Sequence, residues 1–584
     1  MVEQDIYDKM VELAKRRGFF WPSFEIYGGL AGFYDIGPYG VAVKRKIIDA
    51  WRRLFVFSHQ DYVVEIETPL IGPSVVYEAS GHVESFTDPV VRCTKCGRIF
   101  RADHLVEDAL KVSAEGLSPE ELTRKIRENN IRCPICGGEL SEVTTFNLLF
   151  KTQIGPYEGS VGYVRPELAQ GMFLGFKRVL ETMRGRMPLG IAQVGRVGRN
   201  EISPRQGMIR LRDFTIMEME FFFDPQSKEC PNLDKVMDRR LRVRQYKVRL
   251  EGGEPQEFTV RELIEKGIVA HPCMAYWMAV GLDLVKYIGV PEDETFFEEK
   301  GPKEKAHYAT QVFDQMVKTS RWGWVEVAGY AYRGNYDLGR HIKYSGQDLS
   351  VFEPYKEPRV EKVKKVIVDL AYAGRTFRSK ASEAVRLAES VPPEEAERQL
   401  KERGKLVVGE FEFPASAVKI VEVEQKVSGR TYVPHVFEPS FGTDRLLYVA
   451  LERAYREREG RVVLSLPRYL APVDAVVLPL IEGDERLRQK ALELRDRLAS
   501  VGFAVIYDES GSIGKRYARA DEIGVPAAFT VDYQSLEDDT VTMRDRDTWR
   551  QVRLKLEEAP GALKKFIYNL ADIESLGTPV RSEG

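Results

Sequence analysis

The clearest periodic pattern in the chain runs from residue 189 to residue 223, where side chains alternate with a period of two. In an extended strand such residues point alternately to opposite faces. One face of the second half would carry Thr215, Met217, Met219, Phe221 and Phe223, and the other Phe214, Ile216, Glu218, Glu220 and Phe222. The pattern predicts two antiparallel strands, with one face on a core and the carboxylate-bearing face lining a cleft.

A second pattern begins near residue 467, where apolar strands alternate with a helix. The segments DAVVLPL, FAVIYD and AAFTVDY are typical of buried strands. The segment ERLRQKALELRDRLASVG is typical of a helix whose apolar stripe is Leu487, Ala491, Leu494 and Leu498. This alternation predicts a carboxyl-terminal α/β domain of about 115 residues.

Between residues 1 and 466, strand-like segments are interrupted by charged or cysteine-bearing segments. This arrangement predicts one core built from four pieces of chain, separated by three inserts. The core pieces are 1–90, 146–223, 321–350 and 406–466; the inserts are 91–145, 224–320 and 351–405; the last domain is 467–584.

Composition narrows the class of protein. A chain of 584 residues with 43% apolar residues can form several packed domains, and its net charge is only −3. Binding to nucleic acid would therefore have to use local basic patches. No apolar run reaches the ~18 residues of a membrane span, and the amino-terminal segment lacks the apolar core of a signal peptide. A cytoplasmic protein without membrane contact is expected.

Four of the six cysteines form two C-x-x-C pairs, each followed by glycine: Cys93, Cys96, Cys133 and Cys136. Four thiolates at this spacing suit a tetrahedral Zn²⁺ that has no open position for catalysis. Disulfides or unmodified thiols remain alternatives. Cys230 and Cys273 are expected to be unpaired cysteines, either buried or at the surface.

The predicted hairpin concentrates charges around its loop. Two antiparallel strands would gather Arg199, Arg205 and Arg210 near Glu201, Phe214 and Glu218. One interpretation is a surface hairpin whose charges face water. The other is a nucleotide site, where guanidinium groups bind phosphates, a ring stacks on a base and a carboxylate accepts the amino group of the base. The apolar opposite face favours the nucleotide site.

The order Arg-x-Glu, a loop and Arg-x-x-x-Phe resembles motif 2 of the class II aminoacyl-tRNA synthetases, and RNEISPR with RDFT resembles the glycyl-tRNA synthetases in particular. TPLIGPSVVYEASGHVESFTDPVV, with Pro69, resembles the motif 1 region of that family, and EPSFGTDRLLY resembles motif 3. VRPELAQGMFLGFKR and VEVAGYAYRGNYDL resemble two further blocks. DESGSIGKRYARADEIGVP and TVTMRDRD resemble the anticodon-binding domain. The blocks follow in order along nearly the whole chain, which is identified as a member of the archaeal and eukaryotic glycyl-tRNA synthetases.

The resemblance implies an α+β fold, in which an antiparallel sheet with flanking helices and inserts is followed by an α/β anticodon-binding domain. It implies a ligase that attaches glycine to tRNA(Gly) in two steps, through a glycyl-adenylate formed from glycine and ATP with release of pyrophosphate. Mg²⁺ bound with ATP and a structural Zn²⁺ are the expected cofactors. The expected partners are tRNA(Gly), ATP, glycine and a second copy of the chain, with motif 1 at the dimer interface.

The ATP contacts implied by the resemblance come from Arg199, Glu201, Arg205, Arg210, Phe214 and Arg445. Arg199 would contact the α-phosphate and act in catalysis, and Glu201 would accept the adenine amino group. Phe214 and Arg445 would stack on the two faces of adenine. Arg210, with the other loop arginine, would hold the γ-phosphate.

One position departs from the pattern of the family. Motif 3 ends with Gly442, Thr443, Asp444 and Arg445, and Asp444 stands where a small residue is usual. The arginine that would stack on adenine is present, so the function of the motif is expected to survive. The resemblance leaves open what the backbone around Asp444 does.

Glycine has no side chain to hold, so its recognition must rest on binding the ammonium group and excluding anything larger. The resemblance implies an acidic pit made of Glu167, Glu218, Glu326 and Ser440. For Glu218, the strand pattern independently places the carboxylate on the cleft face. No separate editing site is expected.

Two basic segments are candidates for contact with tRNA. In DRRLRVRQYKVRL, the arginines at 240, 242 and 244 fall on one strand face, which would either contact acceptor phosphates or protect a sheet edge. In the last domain, anticodon bases would be read by stacking and hydrogen bonds. The candidates there are Lys515, Arg516, Arg519, Arg544 and Arg546.

Two rival interpretations are open. A class II synthetase for threonine, proline or histidine would share the fold, but the acidic pit and the ASGHVESF and RNEISPR blocks argue against it. A non-catalytic relative, such as a DNA polymerase accessory subunit, would have lost its ATP-binding residues, which are all present here.

Overall fold

The structure is a computed structural model that describes residues 5–112, 114, 116–157, 159–202, 204, 206–302 and 304–580. Arg205, one of the predicted phosphate-binding residues, lies outside the described residues. The chain divides into two compact units: the first combines 1–349 with 434–584, and the second is 350–433.

The strands are, in chain order, β1 (Phe20–Pro22), β2 (Tyr34–Ile36), β3 (Val63–Glu65), β4 (Ile71–Pro73), β5 (Thr87–Arg92), β6 (Ile99–Arg101), β7 (Thr144–Asn147), β8 (Phe150–Gln153), β9 (Val161–Val164), β10 (Leu189–Gly198), β11 (Asp213–Phe223), β12 (Arg240–Arg244), β13 (Gln256–Thr259), β14 (Thr295–Glu299), β15 (Gln311–Thr319), β16 (Gly323–Gly334), β17 (Val351–Val368), β18 (Lys405–Val408), β19 (Phe411–Pro414), β20 (Val418–Tyr432), β21 (His435–Gly442), β22 (Tyr455–Arg458), β23 (Arg461–Leu464), β24 (Ala475–Pro479), β25 (Val505–Tyr507), β26 (Ala527–Val531), β27 (Thr540–Asp545), β28 (Gln551–Lys555) and β29 (Thr578–Pro579).

The α-helices are α1 (Ile6–Arg17), α2 (Pro38–Trp51), α3 (Ser74–Ala79), α4 (His82–Ser85), α5 (Ala102–Leu110), α6 (Pro119–Glu128), α7 (Ala169–Thr182), α8 (Tyr246–Leu250), α9 (Val260–Glu265), α10 (Pro272–Tyr287), α11 (Tyr336–Ser345), α12 (Leu370–Phe377), α13 (Ala381–Glu389), α14 (Pro393–Arg403), α15 (Thr443–Ala454), α16 (Glu485–Ser500), α17 (Ile513–Ile523), α18 (Tyr533–Asp538) and α19 (Ala559–Ile567). Among the described residues, none of these helices combines the length and apolar character that a membrane span requires.

A nine-stranded sheet organises the first unit, in the order β13-β12-β14-β15-β16-β21-β11-β10-β3. Its central pairs, from β14 to β10, are antiparallel. Met217, Met219 and Phe221 of β11 lie in its main core with residues of α2, α10 and α15. The predicted hairpin of β10 and β11, with its apolar face on a core, is therefore confirmed.

The cysteine-bearing segment forms a small lobe of its own. β5 pairs with β6 and β7, and α5 and α6 pack beside them. The core of this lobe includes Phe100, Val106 and Leu122 together with Cys93 and Cys133. The cysteines are thus part of the packing that holds the lobe together.

In the second unit, β17 and β20 form a long antiparallel ribbon, in which Val351 lies opposite Tyr432. β18 and β19 pair with each other, and residues of α12, α13 and α14 share a core with Phe413. The sequence-based division assigned 406–424 to a core piece. In the structure these strands pair inside the second unit, and the chain rejoins the large sheet only at β21.

The last domain has a six-stranded sheet in the order β25-β24-β26-β27-β28-β29. Leu487, Ala491, Leu494 and Leu498 of α16 are fully buried in its larger core, as their spacing predicts. Ala520 and Ile523 of α17 belong to a separate core with Val476, so helices cover both faces of the sheet.

Two expectations about the segment after β11 are wrong. Cys230 and Cys273 form a disulfide with their Cα atoms 5.3 Å apart, so they are not unpaired cysteines. β12 lies between β13 and β14, so it is not an edge strand. Its arginines have partners: Arg240 pairs with Glu257, and Arg244 pairs with Glu298.

Candidate active site

Five residues form one row across the centre of the large sheet. Asp314 lies opposite Gly329, Gly329 opposite Ser440, Ser440 opposite Glu218, and Glu218 opposite Gln193. Cross-strand partners share a face of a sheet, so the row belongs to the face opposite the core. A cavity of about 370 Å³ lies over this face and is lined by Asp314, Gly329 and Ser440.

The described members of the predicted ATP set line the same cavity: Arg199, Glu201, Arg210, Phe214 and Arg445. The guanidinium carbon of Arg199 lies 5.5 Å from the ring centroid of Phe214. Arg210 pairs with Glu201 at 2.8 Å between Nε and Oε2. The structure therefore brings the predicted cationic, aromatic and acceptor groups to one end of one cavity.

Arg445 lies in the first turn of α15, where main-chain carbonyls hold its guanidinium. Its Nε donates to the carbonyl of Ile209 and its Nη1 to the carbonyl of Glu326, both at 2.8 Å. The same Nη1 lies 3.3 Å from Oε2 of Glu326. These contacts fix the guanidinium at the wall of the cavity.

Glu326 lines the cavity because β16 contains an irregularity. The β15–β16 register shifts by one residue at Val327, and Val327 and Ala328 are both buried in the core. A bulge of this kind re-aims the neighbouring side chain. The structure does not place Glu326 in the predicted acidic pit, because its carboxylate pairs with Arg445, one of the predicted ATP-binding residues.

The carboxylates that the structure gathers into a pit are those of Glu167, Glu218 and Glu438. Arg333 bridges two of them, with Nη1 at 2.6 Å from Oε2 of Glu438 and Nη2 at 3.2 Å from Oε1 of Glu167. The backbone N–H of Leu168 donates to Oε2 of Glu218 at 2.9 Å. Among the described residues, Oε1 of Glu218 has no hydrogen-bond partner, so the pit retains a free acceptor.

Sequence reasoning missed Glu438 and Arg333. Glu438 precedes Ser440 by two residues in the same strand, so the period of two was an available signal that both face the cavity. Arg333 carried no such signal. Its side chain is fully buried and also pairs with Asp337, and only the folded chain brings these groups together.

Burial and neighbouring charges shift the pKa values of the carboxyl groups in and beside the pit. Burial, with the neighbouring Glu438 carboxyl, raises the pKa of Glu218 well above its usual value. Burial and Glu438 raise the pKa of Glu220 in the same way. Burial alone would also raise the pKa of Glu167, but the charge of Arg333 holds it well below its usual value. Burial therefore disfavours the charged forms of Glu218 and Glu220, whereas Arg333 favours the charged form of Glu167.

Asp314 and Glu326 form a second acidic pair at the cavity. Burial, followed by the negative charge of Glu326, raises the pKa of Asp314 to about 8. Lys300 lies 3.4 Å from Asp314 and offsets only part of this effect. Both carboxylates line the cavity, and each has a cationic partner: Lys300 lies beside Asp314 and Arg445 beside Glu326.

The two C-x-x-C pairs meet in the cysteine lobe. The Sγ atoms of Cys93 and Cys136 are 3.5 Å apart, and those of Cys96 and Cys133 are 3.7 Å apart. All four sulfur atoms lie within 4.8 Å of one another. Ligands about 2.3 Å from a tetrahedral zinc would be about 3.8 Å apart, so the spacing fits such an ion and exceeds that of a disulfide.

Three of the predicted tRNA-binding arginines are buried in the last domain. Arg516 donates to the carbonyl of Gly511, Arg544 pairs with Asp521 at 2.9 Å, and Arg546 donates to the carbonyl of Leu466 at 2.6 Å, so the structure contradicts their assignment to anticodon bases. Lys515 is exposed, and Arg519 is about one-third exposed while paired with Asp508.

Comparison with known proteins decides the family. A family model described as an anticodon binding domain matches residues 474–566. The glycine–tRNA ligase of Aeropyrum pernix is 62% identical over 581 residues, which cover 99% of this chain and 100% of that protein. The glycine–tRNA ligase of Pyrococcus furiosus is 46% identical over 97% of this chain and 99% of its own length. This chain belongs to the glycine–tRNA ligase family.

A solved structure agrees with this assignment at the level of fold. The prolyl-tRNA synthetase of Cryptosporidium parvum, complexed with L-proline and AMP, matches with a TM-score of 0.51 at 12% identity and covers 97% of this chain and 77% of that chain. The predicted family, ligase activity and class II fold with an anticodon-binding domain are confirmed. Glycine–tRNA ligases, as aminoacyl-tRNA synthetases, use an amino acid, tRNA and ATP with Mg²⁺.

Proposed function

We propose that this chain, as a member of the glycine–tRNA ligase family, attaches glycine to tRNA(Gly) through a glycyl-adenylate. The observation that carries this proposal is the continuity of one cavity, which joins an end with three arginines and a ring to a row that leads into a buried acidic pit. ATP would occupy the first end, and the ammonium group of glycine the second. The glycine carboxylate then lies between them, where it attacks the α-phosphate.

Positioning and charge stabilisation supply the chemistry of the first step, because the attack requires little proton transfer. Arg199 binds the α-phosphate and stabilises the charge that grows there. Glu201 accepts the adenine amino group, and Phe214 and Arg445 enclose the ring. Arg210 holds the γ-phosphate and would exchange its present partner Glu201 for it.

Asp314 and Glu326 are the residues that would hold Mg²⁺. Both line the cavity at the nucleotide end, and their mutual repulsion contributes to the raised pKa of Asp314. Carboxylate oxygens suit this ion, which keeps several other positions for water and phosphate. When bound, it neutralises phosphate charge and orients the polyphosphate.

Glu167, Glu218, Glu438 and Ser440 form the glycine pit in this proposal. Glu218 offers the free acceptor oxygen, and Arg333 fixes the two other carboxylates. An ammonium group entering the pit would find hydrogen-bond acceptors that are already buried. Glycine has no side chain to hold, so selectivity in this proposal comes from exclusion of larger amino acids by size.

Amino-acid-dependent exchange of pyrophosphate into ATP tests the proposal. With Mg²⁺ present, glycine is expected to support exchange, whereas alanine, serine, threonine, proline and histidine are not. Aminoacylation of tRNA(Gly) transcript then tests the second step. Exchange with another of these amino acids would contradict the pit assignment, and no exchange with any of them would contradict the proposed reaction.

The cysteine lobe would hold a structural Zn²⁺ on Cys93, Cys96, Cys133 and Cys136. The protein should contain about one zinc ion per chain, and Cys133→Ser should lose it and expose the lobe to protease, because metal binding and folding are linked. Elemental analysis and limited proteolysis measure both effects. Thr94→Ser, inside the same knuckle, is the control. A zinc-free wild-type protein with a protease-resistant lobe would contradict the assignment.

A second copy of the chain and tRNA are further proposed partners. The segment after β1 exposes Phe24, Ile26, Tyr27 and Leu30, and Ile26 and Tyr27 are more than four-fifths exposed, which supports coverage by another protein surface. Sedimentation equilibrium should give twice 66.6 kDa, and the monomer mass would contradict a dimer. Lys515 and Arg519 remain the candidates for contact with the anticodon.

A further inference from the structure

We infer that Asp444 is a positioning residue for ATP, which works with Lys44 as a clamp that sets the spacing between Phe214 and Arg445. This inference rests on the proposed function, because it assigns the adenine site to those two residues. Asp444 is also the position where motif 3 departs from the usual small residue.

The carboxylate of Asp444 joins three elements. Its Oδ2 accepts from the backbone N–H of Thr215 in β11 at 2.7 Å. Its Oδ1 accepts from Nζ of Lys44 in α2 at 2.6 Å, and the same Nζ donates to Oγ1 of Thr215 at 2.8 Å. Asp444 itself is 4% exposed and lies in the first turn of α15. The contacts form a closed triangle of charge-assisted hydrogen bonds, which are stronger than neutral ones.

The clamp lies where the sheet would otherwise lose a hydrogen bond. The ladder between β11 and β21 reaches Ile216 and Gly442, after which the chain turns into α15. The next N–H along β11 is that of Thr215, and Asp444 accepts it in place of a strand carbonyl. A carboxylate at this position is also favoured by the positive end of the helix dipole. A small side chain would leave the Thr215 N–H and the Lys44 ammonium without this acceptor.

Each anchor of the clamp is next to an ATP-binding candidate. Thr215 follows Phe214 in β11, and Asp444 precedes Arg445 in α15. The hydrogen bond between Thr215 and Asp444 therefore fixes the distance between the backbone positions that carry the Phe214 ring and the Arg445 guanidinium. A planar base fits between two flat groups only at one spacing, so the clamp acts on binding of the base and leaves the glycine pit unchanged.

The chain contains a matched control on the same helix. Lys46 of α2 donates to Oδ1 of Asp474 at 2.8 Å, and Oδ2 of Asp474 accepts from the backbone N–H of Ala504 at 2.8 Å. This pair repeats the chemistry of the clamp, with an ammonium and a backbone N–H on one carboxylate. It joins α2 to the last domain and does not line the cavity.

The test compares Asp444→Asn and Asp444→Ala with Asp474→Asn and Asp474→Ala in the full-length protein. ATP affinity is measured by calorimetry without glycine, and the KM values for ATP and glycine by pyrophosphate exchange. Asp444→Ala should weaken ATP binding roughly tenfold or more, as expected for loss of a charged hydrogen bond. Asp444→Asn should have a smaller effect. The KM for glycine should stay within about twofold, as for a site with no shared partner.

Lys44→Met provides a second route if an Asp444 variant does not fold. It should weaken ATP binding in the same direction, and its effect should not add to that of Asp444→Asn. Unchanged ATP affinity in folded Asp444 and Lys44 variants, or an equal loss in the Asp474 variants, would overturn the clamp. Wild-type protein that binds ATP but shows no glycine-dependent exchange would contradict the proposed reaction while the calorimetric test of the clamp still stands.

Discussion

Replacing Arg333 with methionine is expected to destabilise the catalytic unit by about 3–5 kcal/mol, because it leaves a group of buried carboxylates without their cation. The guanidinium pairs with Glu167, Asp337 and Glu438, and it lies 3.6 Å from the ring centroid of Tyr308. Methionine fills a similar volume but provides no charge. The loss of unfolding free energy should therefore exceed that of an ordinary core substitution.

The pH dependence of this loss has a definite sign. Arg333 holds the pKa of Glu167 well below its usual value against the effect of burial. A carboxylate of this kind contributes stability that is present above its unfolded pKa and is lost as pH falls through its folded pKa. The difference between wild type and Arg333→Met should be largest near neutral pH and should shrink as pH falls below about 4.

Thermal unfolding across this pH range, with hydrogen exchange to locate the loss, measures the effect. Exchange should increase in β16 and β21, which carry Arg333 and Glu438. Arg178→Met is the matched control, because Arg178 is 89% exposed in its pair with Glu181, and such pairs contribute less than about 1 kcal/mol. A melting temperature for Arg333→Met equal to that of the control would show that the bridge does not stabilise the pit.

Replacing Glu218 with glutamine should raise the KM for glycine roughly 30-fold or more, which corresponds to a loss of at least about 2 kcal/mol. The KM for ATP should stay nearly constant. The amide keeps the size of the side chain but presents no negative charge to the ammonium group. Because burial raises the pKa of Glu218, ionisation of this carboxyl at higher pH lowers stability, and the amide avoids that loss, so the variant should be at least as stable as the wild type, especially at higher pH.

The same reasoning gives the pH dependence of glycine binding in the wild type. The ammonium group favours the ionised form of Glu218, whose pKa is raised by burial and by Glu438. Binding therefore releases a proton, and the KM for glycine should fall as pH rises toward that raised pKa. Calorimetry in buffers of different ionisation enthalpy detects the proton. Equal losses of glycine and ATP binding in Glu218→Gln would contradict its place in the pit.

The spacing of apolar residues predicted those parts of the fold in which one regular strand or helix packs one face on a core. The faces of β11 and the stripe of α16 follow from spacing alone, because each is one regular element on one core. The order of family blocks predicted the class II fold and the anticodon-binding domain that follows it. Phe214 and Arg445 line one cavity, and Glu218 lies opposite Ser440, which also lines it, so this face of β11 has the position that its pattern predicted.

The remaining differences arise where tertiary structure overrides local pattern. The bulge at Val327 turns Glu326 toward Arg445, and no spacing rule indicates an extra residue there. Arg544 looks like a surface cation in sequence, yet it meets Asp521 inside the domain. Cys230 and Cys273 are 43 residues apart, and only the folded chain brings them together.

The row of Asp314, Gly329, Ser440, Glu218 and Gln193 comes from the interiors of five strands, whereas residues 350–433 form a separate unit that is inserted between β16 and β21. Loops and inserts tolerate changes of length far better than the strands they connect. Descendants of this chain could therefore have gained, lost or exchanged whole inserts while the chemistry above the sheet stayed constant. Such changes would alter the surfaces that contact partners and would leave the reaction unchanged.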